Sequence, residues 1–257
     1  MTAETAWDPD RYRRYAGHRY RPGLDLIARI PPIAPSTVID LGCGTGELTA
    51  ALAERFPTAR VTGLDSSPEM LAKARAAFPA IDWVGGDIRH WRPTAPVGLI
   101  YTNAALHWVD GHDRLFPRLV GALAPGGVLA CQMPRNFAAP SHRLMREVAA
   151  DPRWAGRIAL LAEPVAAPEA YWDVLTPIAE DLDIWQTEYL QALSGEHPVL
   201  DWVRSTALRP VFDALEGAQL EAFLAAYRAR LAAAYPRRAD GTTLFPFNRL
   251  FVVARRP

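Results

Sequence analysis

Short apolar runs alternate with stretches of helical spacing through the first half of the chain. Residues 36–41 (STVIDL), 60–64 (RVTGL), 81–84, 97–103 (VGLIYTN) and 128–133 (VLACQM) read as buried strands. Between them, 46–55 (GELTAALAER) places Leu48, Leu52 and Phe56 roughly on one face. Residues 68–78 start with a proline at N1 behind Ser67, a good N-cap. A further helix over 113–123 is expected to stop before Pro125-Gly126-Gly127. Strands apolar on both faces and separated by helices indicate parallel crossovers, hence an α/β sheet.

The second half has another rhythm. Residues 141–150 and 168–178 look helical, 183–189 (DIWQTEY) alternates as a strand does, and 198–235 is largely helical. A last strand is expected at 250–254 (LFVVA). A helical block between two late strands is most simply an insertion over the sheet, here set at 192–243. No repeat and no low-complexity linker divides the chain, so 1–257 is expected to be one domain.

Composition narrows the function. With 28 basic and 28 acidic side chains the net charge is zero, which disfavours a nucleic-acid or polybasic membrane surface. The N-terminal stretch lacks a signal-peptide apolar core, and no run of about 18 apolar residues occurs. A soluble, cytoplasmic protein is the expectation. Cys43 and Cys131 are too few for a disulfide framework or a four-thiolate zinc site, and no metal is expected.

The strongest local signal is Asp40-Leu41-Gly42-Cys43-Gly44-Thr45-Gly46. A strand ends, glycines follow at alternate positions, and a helix begins. Such a turn admits a ligand where a Cβ would obstruct it. It also serves as a plain tight connection. Asp65 ends the second strand, where an acid can accept from ribose hydroxyls, and Asp87 ends the third, where a carboxylate can accept from an adenine amino group. Taken singly, Asp65 also fits a charge favouring a helix N-terminus, and Asp87 a solvated turn acid. The spacing is neither the dinucleotide G-x-G-x-x-G nor a P-loop.

Asp-x-Gly-x-Gly-x-Gly resembles the S-adenosylmethionine loop of class I methyltransferases. The resemblance implies that Asp40 and the loop backbone at Gly42, Gly44 and Gly46 hold the methionine portion. It implies Asp65 and Ser66 at the ribose, Asp87 and the Ile88 amide at adenine, and Asn103 beside the cofactor. Residues 7–12 (WDPDRY), 19–22 (RYRP), 103–108 (NAALHW), 132–136 (QMPRN), 141–148 (SHRLMREV), 183–189, 208–210 (LRP) and 247–256 (FNRLFVVARR) are similar to the trans-aconitate 2-methyltransferase family. The likeness runs from Trp7 to Arg256. That family implies a Rossmann-like sheet of seven strands, the last antiparallel, with a helical cap. It also implies a lid segment at 1–22, a cofactor-binding half at 31–134 and esterification of one carboxylate of a small polycarboxylate.

A carboxylate is ionised at neutral pH and needs no general base, so the reaction asks for alignment and cationic anchors. Arginine forks meet carboxylates at two points. Arg19, Trp108, His142 and Arg209 are the favoured substrate contacts, followed by Arg21, Arg146, Tyr227 and Arg249. Five of them have a plainer role open: Trp108 and Tyr227 as core aromatics, His142 and Arg146 as a solvated cationic stripe, Arg21 as a helix-end charge. Arg135 is either a further carboxylate contact or a solvated loop charge. Three other functions compete: a methyltransferase on another small molecule, a nicotinamide-dependent oxidoreductase, and a non-catalytic S-adenosylmethionine-binding protein. The oligomeric state is not legible.

Overall fold

A computed structural model describes residues 17, 20–160, 165–204 and 207–257. Its strands are β1 (Thr37–Leu41), β2 (Arg60–Asp65), β3 (Asp82–Gly85), β4 (Val97–Asn103), β5 (Leu123–Pro134), β6 (Asp181–Leu193) and β7 (Thr243–Arg255). Helices α1 (Arg21–Arg29), α2 (Glu47–Arg55), α3 (Pro68–Ala77), α4 (His112–Gly121), α5 (Pro140–Ala149) and α6 (Pro168–Leu175) intervene. They are followed by α7 (Pro198–Arg204), α8 (Arg209–Ala214) and α9 (Gly217–Ala234). The seven strands form one sheet in the order β3-β2-β1-β4-β5-β7-β6. β1 pairs in parallel with β2 and β4, β2 with β3, and β4 with β5.

β7 runs the other way. Gly126 N donates to Arg256 O at 3.0 Å and Arg256 N to Gly127 O at 2.9 Å, while Arg135 N donates to Asn248 O at 2.9 Å. The start of β5 thus meets the end of β7, and the end of β5 meets its start, which is antiparallel register.

Two compact units emerge. The first holds the described residues up to Met133, with Val165–Gln186 and Leu250–Pro257; the second holds Pro134–Pro164 and Thr187–Arg249. In the first unit the centre of β1 is buried on both faces, with Val38 1%, Ile39 8% and Leu41 0% exposed, as a central parallel strand requires. Its core continues through Leu115, Phe116 and Leu119 of α4, Tyr171 and Leu175 of α6, and Leu250 and Val252 of β7. Ser67 caps α3, accepting from Met70 N at 3.3 Å, with Pro68 next to it.

The second unit packs α9 against α5. Phe223, Leu224, Tyr227 and Leu231 form the buried stripe of α9, and Met145 and Val148 face inward from α5. Two tyrosines hold the first turn of α5: Ser141 N donates to the Tyr235 hydroxyl at 3.0 Å, and the Tyr227 hydroxyl donates to Ser141 O at 2.6 Å. This unit starts at 134 rather than 192, because α5 belongs with the later helices.

Pro125-Gly126-Gly127, before which the helix was expected to stop and after which the strand was expected to begin, lies inside β5. A Cβ on Gly127 would meet three carbonyl oxygens, those of Ala124, Val97 and Gly98, at 2.8, 3.0 and 3.1 Å. The register shifts between Val97 and Leu99 alongside. These glycines allow a bulged strand start pressed against its neighbour. β6 and β7 are also longer than expected, since ladder pairing extends a strand past its apolar run. Among the described residues no helix is long and apolar enough to cross a membrane. The expected lid at 1–22 lies outside the described residues, apart from Gly17 and residues 20–22.

Asn136, 4% exposed, behaves as a strand residue made of side chain. Its Nδ2 donates to Asn248 O at 2.9 Å and its Oδ1 accepts from Asn248 N at 2.8 Å. Asn136→Ala leaves both backbone groups unpaired and is expected to cost about 2–4 kcal/mol in urea unfolding. A loss near zero would show that water replaces the amide.

Candidate functional site

The carboxyl ends of β1 to β4 converge on the glycine loop. Gly42, Gly44 and Gly46 all have positive φ, at +79°, +57° and +91°. Only glycine takes such angles without strain. Leu64 O on β2 accepts from both Gly42 N at 2.7 Å and Cys43 N at 3.0 Å, which draws the loop onto the neighbouring strand. A Cβ on Gly42 would lie 2.3 Å from that of Ala105, and one on Gly46 would lie 2.5 Å from the Trp83 ring. Gly44 differs: nothing lies within 4 Å of the space its Cβ would take. The loop is therefore packed at its two ends and open in its middle.

Three carboxylates near the ends of β1, β2 and β3 have different surroundings. Asp40 is 2% exposed and its Oδ2 accepts from the Thr49 hydroxyl at 2.6 Å. Burial pushes its carboxyl up to about 7; the Thr49 bond opposes this and the charge of Asp65 adds to it. Asp65 holds the loop directly. Its Oδ2 accepts from Gly44 N at 2.9 Å and its Oδ1 from Ser67 N at 2.8 Å, leaving lone pairs on both oxygens for further donors. Ser66 beside it is exposed. Asp87 is gripped by Arg89, whose Nε and Nη2 reach Oδ2 at 2.9 and 2.6 Å. The Arg89 side-chain bonds and then its backbone N–H hold Asp87 down at about 2.

Ile88 packs partly against the core, and its side chain lies near Gly42. Its amide has no acceptor among the described residues. Asn103, at the end of β4, has a buried Oδ1 with no hydrogen-bond partner among the described residues. Ala104 follows with φ +52°, a strained angle for a residue with a Cβ, fixed by Ala104 N donating to Gln132 O at 2.9 Å. Trp108 is 53% exposed, so it is not the core aromatic that sequence alone allowed. Burial pushes the thiols of Cys43 and Cys131 up, so neither is an activated nucleophile.

The other substrate candidates belong to the second unit, except Arg21 of α1, which is exposed and lies 3.9 Å from Asp25 one turn on, as a helix-end charge does. Arg19 lies outside the described residues. His142 bonds the Ser141 hydroxyl at 3.1 Å. Burial, then the charge of Arg146, pushes it down to about 4, so it is neutral near pH 7 and not part of a cationic stripe. Arg146 stacks over Phe137 at 3.8 Å and donates to Phe137 O at 2.8 Å. Arg209 is exposed in the first turn of α8. Tyr227 is fully buried with its hydroxyl committed to Ser141 O, which is a packing role. Arg249 is 5% exposed, over the Phe247 ring at 4.6 Å. Arg135 is half-buried, and its backbone N–H joins the Asn248 carbonyl.

Sequence reading passed over Trp83, Thr49, Arg89 and Arg118. The signal for Trp83 was the glycine inside strand VTGLD: a Cβ on Gly63 would meet the Trp83 ring at 2.4 Å.

Two outcomes follow from this geometry. Gly42→Ala combines a left-handed angle with a backbone-level clash and is expected to cost about 3 kcal/mol or more, whereas Gly44→Ala carries only the strain of about 1–2 kcal/mol. Urea titrations compare the two, and equal losses would refute the difference in packing. For Asp40 the folded carboxyl titrates at about 7 against 3.8 ordinarily. Its contribution is fully present below 3.8 and is lost as pH rises through about 7. Relative to Asp40→Asn, the native chain should therefore lose stability between those values. A flat difference would mean that the carboxyl is solvated.

Comparison with known proteins gives the same picture from another direction. A methyltransferase domain model matches residues 38–127. A trans-aconitate 2-methyltransferase of Streptomyces coelicolor is 52% identical, over 100% of this chain and 88% of that one. One of Azoarcus is 50% identical over 97% of this chain and 99% of that one. Among solved structures, the YcgJ protein of Bacillus shares the fold at TM-score 0.59, with 13% identity over 93% of this chain and 99% of that one. Phosphoethanolamine N-methyltransferase 2 of Haemonchus contortus, solved with S-adenosylhomocysteine, aligns at TM-score 0.56 and 16% identity, over 96% of this chain and 56% of that one. With half its residues shared along its whole length, the chain belongs to the trans-aconitate 2-methyltransferase family.

Proposed function

We propose that this protein is an S-adenosylmethionine-dependent O-methyltransferase that esterifies one carboxylate of trans-aconitate to a monomethyl ester, releasing S-adenosylhomocysteine. The reading rests on one observation: half-identity over the full chain to proteins of that name, in a chain whose loop keeps Gly44 open and leaves Asn103 Oδ1 buried and unpaired. An open cradle and an orphaned acceptor at the ends of adjacent parallel strands are what an adenosyl amino acid requires.

In this reading Asp65 accepts from the ribose hydroxyls with its free lone pairs. Asp87 and the Ile88 amide receive adenine, the loop backbone holds the amino-acid portion, and Asn103 supplies an acceptor beside it. Asp40 joins the loop in holding the amino-acid portion, its buried carboxyl set in place by the Thr49 hydroxyl of α2. When bound, S-adenosylmethionine supplies a methyl group on a positively charged sulfur. The acid brings its own nucleophile: the carboxylate oxygen forms the new O–C bond as the C–S bond breaks, and one negative and one positive charge disappear. No proton moves, which fits a site whose thiols are held protonated. The chain's work is alignment, which supplies about 7–11 kcal/mol of such a barrier.

Arg19, Trp108, His142 and Arg209 are proposed as contacts of the acid, with Arg146 as a further cation and neutral His142 as a hydrogen-bonding partner. Single-sign anchors must hold the spectator carboxylates and leave the reacting oxygen its lone pair.

The test is methyl-ester formation followed by mass spectrometry with trans-aconitate, cis-aconitate, isocitrate and citrate. Trans-aconitate should be the best substrate. Asp65→Ala is expected to weaken S-adenosylhomocysteine binding by about 10–100-fold. Arg209→Ala should raise KM for the acid and keep cofactor affinity. Cofactor binding without ester formation on any of the four acids would refute the assignment.

A further inference from the structure

The turn after β3, residues 87–91, carries both groups assigned to adenine; Ile88 and Trp91 pack their side chains against the core, and two of its carbonyls are held by one side chain. Asp87 O accepts from His90 N at 3.0 Å and Trp91 N at 2.9 Å, closing the turn on itself. Asp87 Oδ1 accepts from Arg89 N at 2.8 Å. These bonds shape the turn but do not anchor it to the sheet. Arg118, on the second turn of α4, does that. Its Nη2 donates to Ile88 O at 2.9 Å and its Nη1 to Trp91 O at 2.6 Å. One planar fork thus spans both ends of the turn, and one of its acceptors belongs to the residue whose amide faces adenine.

Arg118 is half-buried and makes no ion pair among the described residues. Arg92 donates to the same Trp91 O at 2.8 Å, so a second positive charge lies beside it. Burial and that neighbour both push the Arg118 guanidinium down. A side chain placed at such a cost serves the carbonyls it holds.

We infer that Arg118 is a positioning residue for adenine: by clamping the Ile88 and Trp91 carbonyls to α4 it sets where the Ile88 amide and the Asp87 carboxylate stand, and so sets selection for the adenine amino edge. The inference rests on the cofactor reading above. A lysine has one point of attachment and cannot reproduce a two-carbonyl fork.

The experiment uses the full chain, its Arg118→Leu and Arg118→Lys variants, and two probes. The probes are S-adenosylhomocysteine and S-inosylhomocysteine, which carries an oxo group in place of the 6-amino group. Calorimetry on Arg118→Leu should show S-adenosylhomocysteine affinity reduced about tenfold or more, with the preference over the inosyl analogue falling by about fivefold. Arg118→Lys should fall between. In the ligand-free variants, amide exchange at His90 and Trp91 should speed up about tenfold with β1 and β4 amides unchanged. A preserved preference in Arg118→Leu, or exchange that rises evenly through the sheet, would make Arg118 an ordinary stabilising residue and end the proposal. A native chain that binds neither probe would instead defeat the cofactor reading itself.

Discussion

The site depends on how closely one loop can approach one strand. Leu64 O takes two amide hydrogens from Gly42 and Cys43, and this double bond is possible only where Gly42 has no side chain. Ala105 fills the space from the β4 side and the Trp83 ring closes the far end at Gly46. What remains is open space on the side of Gly44 where a Cβ would stand. The opening comes from packing at both ends, and the residues that produce it come from β2, β3 and the turn after β4.

Electrostatics then differentiates three carboxylates of one chemical type. Asp40 has lost water and found one hydroxyl, so it resists ionisation. Asp65 has two backbone amides and keeps spare lone pairs. Asp87 faces a full guanidinium fork and stays ionised. Burial pushes Asp40 up and the opposite charge of Arg89 holds Asp87 down, and both lie near the ends of neighbouring strands with Asp65 between them.

The second unit is held by a different device. Tyr227 and Tyr235 bracket Ser141, one donating to its carbonyl and the other accepting from its amide. Asn136 closes the ladder to Asn248 with its side chain. These contacts explain why QMPRN and FNRL, far apart in sequence, form one structural element. They also fix the first turn of α5, and with it neutral His142.

Much of the fold was legible because it is written in local periods. The apolar runs at 36–41, 60–64 and 97–103 and the Ser67-Pro68 start of a helix depend on neighbours a few residues away, and they appear where expected. The glycine loop was legible for the same reason, since a run of three left-handed positions demands glycine wherever it occurs. Side chains whose role depends on distant partners were not legible. Trp108 and Tyr227 are both aromatics in apolar surroundings along the chain, yet one is 53% exposed and the other 0%. Pro125-Gly126-Gly127 reads as a break between helix and strand until β7 pairs with it. Arg118 looks like any helix arginine until the carbonyls of Ile88 and Trp91 arrive beside it. Sequence settled most of the elements and the loop's backbone conformation because steric rules act over short range. Tertiary structure decided which polar groups lose water and which charges meet, because burial and Coulomb partners are set by residues that only the fold brings near.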